Sequence, residues 1–155
     1  MASRPVSTKR SGCPVNLSLE RIGDSWSLLI VRDLMIRGYR TFKELQQSGE
    51  GIASNILANR LRKLARVGIV QAERAPEDGR RVHYRLTEKG IDLAPVILEL
   101  LIWGARHETS SESSALILKM VGKRNAILVE VRKRWQKRDS TPLQTKSGEW
   151  LWPNY

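Results

Sequence analysis

The sequence predicts a mainly α-helical fold with one small β-hairpin, and three consecutive features support this. Two helical segments within residues 41–67 are separated by the short turn Gly49-Glu-Gly51. Two strand-like segments follow, at 69–74 and 82–86, around a tip that contains Asp78-Gly79, a pair typical of tight hairpin turns. A longer helix then begins. Helix, turn, helix and hairpin in this order are typical of a winged helix-turn-helix fold.

Length and composition fit one domain with an appendage. The chain has 155 residues, of which 41% are hydrophobic and 28% charged, as is ordinary for a soluble globular protein. No apolar run is long enough to cross a bilayer, and the polar N-terminus lacks the apolar core of a secretory signal. We therefore expect a soluble, cytoplasmic protein that does not associate with membranes.

The charge indicates a polyanionic partner. The formal net charge is +11 and the isoelectric point is near 10.4, although charge alone does not separate DNA from RNA or an acidic membrane surface. One cysteine excludes an internal disulfide and the paired-thiolate spacings of zinc sites. With His83 and His107 far apart in sequence, we predict neither a metal site nor a cofactor.

The chain divides into three predicted parts. Residues 1–12 are small, polar and basic, and we expect a disordered N-terminal arm. Residues 13–107 form the winged helix-turn-helix domain, which we expect to carry DNA binding and dimerisation. Residues 108–155 form a helical C-terminal extension, with helical segments at 115–121 and 125–135 and a tail that is either a hairpin or disordered.

The first predicted helices provide the core. A short helix at 15–22 precedes a largely apolar helix at 26–36, which Asp24 or Ser25 can cap and which Gly38 ends. Thr41 and Glu44 have the spacing of a capping box, and this predicts a helix over Phe42–Gln47.

The second helix of the pair, from about Ala53 to Val67, has two distinct faces. Leu57, Leu61 and Leu64 form an apolar stripe, and amide and basic side chains lie opposite. Such a helix suits the DNA major groove, because Asn can pair with adenine and Arg with guanine. We predict base contacts from Asn55, Ile56 and Asn59. The alternative is a solvated face, but an outward Ile favours a thymine methyl as its neighbour.

Other polar residues are predicted to position the protein on phosphates. Those of the helix pair are Thr41, Lys43, Arg62, Lys63 and Arg66, and Ser54 at the start of the second helix is a further DNA-binding candidate. Those of the wing tip are Arg80 and Arg81, which can reach the minor groove. Ordinary surface charge is the alternative for the helix residues. Arg74 and Arg85 are weaker wing candidates, because each could instead pair with Glu73 or Glu77.

The segment after the wing predicts a second subunit. A helix over Glu88–His107 carries Pro95 near its start, which predicts a bend or a restart. Its stretch 96–103 is apolar on more than one side and needs a further apolar partner, for which a symmetric copy is the simplest choice. We expect Trp26, Tyr39 and Trp103 in the core or the dimer interface. The basic run 132–138 either adds nonspecific DNA affinity or is a solvated face.

From Cys13 to His107 the chain resembles the HxlR-type winged-helix transcriptional regulators, relatives of the MarR regulators. The matching stretches, in one order, are Cys13-Pro14, Leu28 to Arg37, Arg40 to Leu45, Ile52 to Leu64, Gly68 to Val70, Val82 to Gly90 and Trp103-Gly104. The resemblance implies a dimeric DNA-binding regulator whose N-terminal and post-wing helices form the dimer surface. It also implies a recognition helix at Ala53–Val67 and a wing at Val70–Leu86.

Some members sense oxidants or electrophiles through a thiol near the N-terminus, which by position would be Cys13. Lys9, Arg10 and the helix start at Pro14 favour its thiolate, although a single cysteine is more often inert and buried. A small-molecule effector between the DNA-binding module and the dimer helices is a further possibility that no residue cluster marks.

Two features depart from the family pattern. Ala53 stands where Ser is frequent, so the hydroxyl cap is lost or moves to Ser54. The wing tip at 77–81 is longer and more basic than the usual HxlR turn and is closer to a MarR wing.

The main functional hypothesis is a homodimer that binds double-stranded DNA at a pseudo-palindromic operator. The alternative is a winged-helix module for protein–protein contact whose nucleic-acid binding is only nonspecific. The sequence offers no Ser/His/Asp set, no paired carboxylates, no phosphate-binding Gly loop and no metal spacing, so we do not expect an enzyme.

Overall fold

The computed structural model describes residues 11–108 and 121–143. Within them lie seven helices, one π-helical turn and a two-stranded antiparallel sheet. Their bounds are α1 Pro14–Ile22, α2 Ser27–Arg32, the π turn Asp33–Arg37, α3 Phe42–Gln46, α4 Ser54–Arg66, β1 Val70–Arg74, β2 Val82–Leu86, α5 Glu88–Ile91, α6 Ala94–His107 and α7 Arg124–Gln136. The sequence prediction of a mainly α-helical winged helix-turn-helix is confirmed.

The predicted core helix at 26–36 is two segments. Asp24 caps α2, as expected, by accepting hydrogen bonds from the backbone N–H groups of Trp26 and Ser27 at 3.1 and 2.9 Å. The last turn is a π turn, in which the N–H of Gly38 reaches the carbonyl of Asp33. Gly38 then adopts φ 73°, the left-handed conformation predicted for the residue that ends this helix.

The helix pair follows the prediction closely. Thr41 and Glu44 form the complete capping box at the start of α3. Ala53 is the N-cap residue of α4 and no side chain caps that helix, so Ser54 does not replace the missing hydroxyl. Gly68, with φ 74°, allows the sharp exit from α4 into the hairpin.

The wing is the predicted hairpin in its predicted place. Val70 pairs with Leu86 and Arg74 with Val82, which fixes the register of β1 against β2. At the tip, the Arg81 N–H donates to the Asp78 carbonyl at 2.9 Å and closes a turn around Gly79. The backbone of Tyr84 also donates to the carbonyl of Arg40, at 2.7 Å, so the segment before α3 lies along the wing.

The post-wing helix restarts where Pro95 predicted. Thr87 caps the short α5 by accepting from the N–H of Gly90, and Pro95 stands in the first turn of α6, where a missing N–H costs nothing. Of the predicted helices in the extension, 125–135 is confirmed as part of α7. Most of the N-terminal arm, of the 115–121 segment and of the tail lies outside the described residues.

One apolar core joins these elements. It combines the inner faces of α2, α4 and α6 with Val131 of α7 and Leu143 beyond it. Leu57 and Leu64 of the apolar stripe are fully buried, and Leu61 is nearly so. No helix among the described residues has the length and hydropathy needed to span a bilayer.

Candidate nucleic-acid interface

The helix α4 is buried on one face and open on the other. Its three stripe leucines recur at intervals of four and three residues, so they share the face that enters the core. Asn55, Asn59, Arg62 and Arg66 recur at similar intervals on the other side, and all four are exposed. Burying the leucine stripe therefore fixes the direction in which the polar face points.

The exposed face of α4 has free hydrogen-bonding groups. Among the described residues, Asn55, Arg62 and Arg66 have no side-chain hydrogen bond or ion pair, and Asn59 has only a 3.4 Å contact from neighbouring Arg60. Ile56 is 36% exposed beside them, although it is apolar. A partner molecule that covered this apolar side chain would remove it from water, which is favourable. The predicted base-contact residues are thus together on one open surface, with Ser54 exposed at its start.

Lys63 stands apart from the other predicted phosphate contacts. Its ammonium lies 3.1 Å from a carboxylate oxygen of Asp24, which is 39 residues away in sequence. Arg60 contacts the other oxygen of the same carboxylate at 3.0 Å. Lys63 and Arg60 therefore hold α4 against the start of α2, and this role was not apparent from the sequence.

The environment of Asp24 stabilises its ionised form. Partial burial by itself raises the pKa of this carboxyl, but hydrogen bonds from Ser27, Lys63 and the capped backbone lower it to about 2. The carboxylate is thus charged throughout the physiological range. It accepts from the N–H groups at the start of α2 and pairs with α4 at the same time, and so connects these helices.

A second set of charges positions the turn before α4. Arg32 is buried, and its guanidinium donates to Asp33 and Glu50 at 2.8 Å each. Arg37 donates to the carbonyl of Ser48 at 2.6 Å. Burial raises the pKa of Asp33, although the neighbouring Arg32 and Arg37 oppose the shift. The apolar pattern of residues 26–36 gave no sign of these contacts.

The two predicted phosphate contacts at α3 differ in availability. Lys43 is exposed and, among the described residues, has no partner. The Thr41 hydroxyl is already engaged in the capping box, because it accepts from the Glu44 N–H at 3.2 Å and donates to the Glu44 carboxylate at 2.8 Å. Thr41 therefore has an evident structural role, and Lys43 is the freer of the two.

The wing tip presents two exposed arginines. Arg80 has no side-chain partner among the described residues, and Arg81 makes only an open ion pair with Asp78 at 3.4 Å. Arg74 donates to the carbonyl of Gly79 at 3.1 Å, and not to Glu73 or Glu77, the alternative partners that the sequence left open. Arg85 also differs from expectation, because it turns inward toward Trp135 of α7.

Cys13 is an exposed thiol at the start of α1, so the interpretation of a buried cysteine is wrong. It occupies the N-cap position, followed by Pro14 in the first turn. Hydrogen bonds from the backbone N–H groups of Asn16 and Val15 lower its pKa. The helix start therefore favours the reactive thiolate, as expected, while Lys9 and Arg10 lie outside the described residues.

Apolar side chains are exposed on α1 and α6. On α1, Val15 is 66% exposed and Leu19 59%, and on α6 Leu100 is 49% exposed and Trp103 57%. The other face of α6 is in the core, so this helix is apolar on two sides, as the sequence indicated. Of the other predicted interior aromatics, Trp26 and Tyr39 are partly buried against the core.

This geometry agrees with the comparisons to known proteins. A family model described as HxlR-like helix-turn-helix matches residues 21–112, which is more than half of the chain. The chain belongs to the HxlR-like helix-turn-helix family. It is therefore a transcriptional regulator of the helix-turn-helix type and not an enzyme.

Curated relatives of this HxlR-like regulator carry the same description. An uncharacterized HTH-type transcriptional regulator of Mycobacterium bovis is 35% identical over 119 residues, covering 77% of this chain and 74% of the relative. The uncharacterized HTH-type transcriptional regulator YdeP of Bacillus subtilis is 35% identical over 97 residues, covering 63% of this chain and 75% of the relative.

Solved structures support the same fold. PA1607, a candidate transcription factor, is 43% identical with a TM-score of 0.62, over 68% of this chain and 72% of its own. The oxidised redox regulator HypR is 32% identical with a TM-score of 0.56, over 63% of this chain and 100% of its own. Reduced YodB of Bacillus subtilis is 32% identical with a TM-score of 0.52, over 63% of this chain and 96% of its own.

Proposed function

We propose that this HxlR-like regulator acts as a homodimer and binds a pseudo-palindromic operator in double-stranded DNA. The observation that carries the proposal is the open polar face of α4, directly opposite its buried leucine stripe. Amides and guanidinium groups without partners in the described residues are the groups that read base edges in the major groove. The net charge of +11 supplies the attraction to phosphate.

Each side chain on this surface has a role that follows from its chemistry. Asn55 and Asn59 can make paired hydrogen bonds to adenine, and Ile56 can contact a thymine methyl. Arg62, Arg66, Ser54 and Lys43 would contact phosphates, and Arg80 and Arg81 would contact the minor groove. Lys63 binds Asp24 and Thr41 caps α3, so these two residues hold the helices that carry the surface.

The exposed apolar residues of α1 and α6 favour dimerisation. A second copy would bury Val15, Leu19, Leu100 and Trp103, which are 49–66% exposed. Two copies would place two α4 helices about one helical turn of DNA apart, the separation at which both can enter the major groove on one side of the duplex.

Regulation by oxidants through Cys13 is the second part of the proposal. The thiol is exposed and its pKa is lowered by the N–H groups at the start of α1. The chain has one cysteine, so a disulfide needs a thiol of a second copy or of a small molecule, with two electrons passing to the oxidant. Among the similar structures, HypR is a redox regulator.

Asn59→Ala tests the base-reading role. The Kd should be measured by fluorescence anisotropy for an operator selected from random DNA and for a scrambled duplex of equal length. Loss of one paired contact should weaken operator binding about tenfold or more, with little effect on scrambled DNA. Asn125→Ala removes an equally exposed Asn from α7 and should change neither Kd.

Two results would count against the proposal. Equal weakening of Asn59→Ala on both duplexes would remove this residue from base reading. A wild-type protein that prefers no sequence at all would favour the alternative, a winged-helix module for protein partners.

A further inference from the structure

The segment 124–143, here called the C-terminal clasp, contacts both strands of the wing. It consists of α7 and the residues that follow, and it lies beyond the family match at 21–112. On β2, the indole N–H of Trp135 donates to the carbonyl of Leu86 at 2.8 Å. The guanidinium of Arg85 lies over the Trp135 ring at 5.2 Å and donates to the Trp135 carbonyl.

The clasp also holds the other strand of the wing. Arg138 forms an ion pair with Glu73 of β1 at 3.0 Å. In the sheet register Glu73 lies opposite His83, two positions from Arg85, so Glu73 and Arg85 are on the same face of the hairpin. The clasp therefore binds one face of the wing through both of its strands.

The residues that follow α7 attach the clasp to the helix-turn-helix core. The N–H of Leu143 donates to the carbonyl of Ile36 at 2.8 Å, and its side chain is buried. Gly38 packs against the backbone of Ser140, where a Cβ would come within 1.9 Å of the carbonyl oxygen. The clasp thus connects the core that carries α4 to the hairpin that carries Arg80 and Arg81.

We propose that the C-terminal clasp sets the angle of the wing, and that Trp135, Arg138 and Glu73 are positioning residues for the wing's phosphate contacts. This inference rests on the proposed function. A five-residue strand spans about 17 Å, so a tilt of about 10° at its base moves its far end by about 3 Å. That displacement equals the length of a hydrogen bond and is enough to lose a phosphate contact.

Three arginines of the clasp have partners within the protein. Arg138 binds Glu73, Arg132 binds Asp92 at 2.9 Å, and Arg134 binds the carbonyl and hydroxyl of Thr141. Part of the positive charge of this run therefore attaches the clasp to the rest of the protein. Lys133 and Lys137 of the same run are exposed, so nonspecific DNA affinity and a solvated face both stay open for them.

Glu73→Gln tests the inference, because electrostatic attraction alone and positioning of the wing predict opposite changes in operator affinity. The change adds one positive charge, so simple attraction to DNA would tighten binding. Release of the wing would instead weaken operator binding about threefold, the scale of one exposed ion pair. The matched control is Glu130→Gln, which adds the same charge at an exposed position of α7 that has no side-chain partner among the described residues.

A double-mutant cycle separates positioning from general damage. Arg81→Ala should weaken operator binding in the wild type and should cost clearly less in the Glu73→Gln background, because the wing is already displaced. Trp135→Phe, which keeps the ring below Arg85 but loses the N–H, should act in the same direction as Glu73→Gln. Thermal unfolding of each variant checks that the fold is retained.

The outcomes distinguish a failure of the wing-positioning role from a failure of the proposed function. If Glu73→Gln binds as tightly as Glu130→Gln and Arg81→Ala costs the same in both backgrounds, the clasp does not position the wing, and the proposed function stands. If the wild type prefers no operator, the proposed function fails and the wing-positioning role falls with it.

Discussion

Replacement of Asp24 by alanine tests how α4 is held in place. The carboxylate accepts from the backbone of Trp26 and Ser27 and from the Ser27 hydroxyl at 2.6 Å. It also pairs with Arg60 and Lys63 of α4. One substitution therefore removes a helix cap and the ionic connection between α2 and α4.

The expected loss of stability follows from these contacts. The cap contributes about 1 kcal/mol. Ser27 is fully buried, and loss of its acceptor costs about 1 kcal/mol more. The two ion pairs are partly exposed and contribute about 0.5 kcal/mol together after solvent screening. We expect Asp24→Ala to lower the free energy of unfolding by about 2–3 kcal/mol.

Urea unfolding followed by circular dichroism measures this difference. Asp92→Ala, which removes a more exposed carboxylate with a single arginine partner, should cost under about 0.5 kcal/mol. A loss below about 0.5 kcal/mol for Asp24→Ala as well would refute the assignment of Asp24 as the link between the helices.

The pH dependence provides an independent check of the same contacts. The pKa of Asp24 is lowered from 3.8 to about 2 in the folded protein, so its contribution is fully present above pH 3.8. It is lost as the pH falls through that value toward 2. The stability difference between wild type and Asp24→Ala should therefore shrink over this acid range and stay constant near neutrality.

Three further variants test other parts of the account. Gly38→Ala and Gly51→Ala both place alanine at φ 73°, but only position 38 faces a carbonyl of the C-terminal clasp, so Gly38→Ala should lower the urea midpoint more. Leu100→Glu should convert a dimer to a monomer in light scattering, whereas Val129→Glu on exposed α7 should not. Diamide should change operator binding of the wild type and leave Cys13→Ser unaffected; equal responses would exclude the thiol as sensor.

Local chemistry explains which elements could be predicted from the sequence. The residues that set the helix ends act within a few positions along the chain, as Thr41 with Glu44, Gly38 and Pro95 do. Their effects can therefore be predicted from the local sequence. The leucine stripe of α4 is likewise a periodic signal, and it predicted which face of the helix remains open.

Contacts between distant segments could not be predicted in the same way. Lys63 resembles any exposed lysine until the fold brings Asp24 beside it from 39 residues away. Arg85 alternates like an outward wing residue, but α7 packs under that face of the hairpin and the guanidinium turns to Trp135. The π turn at 33–37 depends on a shift in backbone hydrogen bonding that hydrophobic periodicity does not record.

Cleavage of DNA from the surface of α4 tests the central claim most directly. An iron–EDTA group attached to Asn55→Cys, in a Cys13→Ser background, generates radicals that cut the nearest sugars. We expect two clusters of cuts in the selected operator, separated by about one helical turn. Uniform cutting along the duplex, or none above the level of unattached reagent, would contradict the claim that this face of α4 enters the major groove.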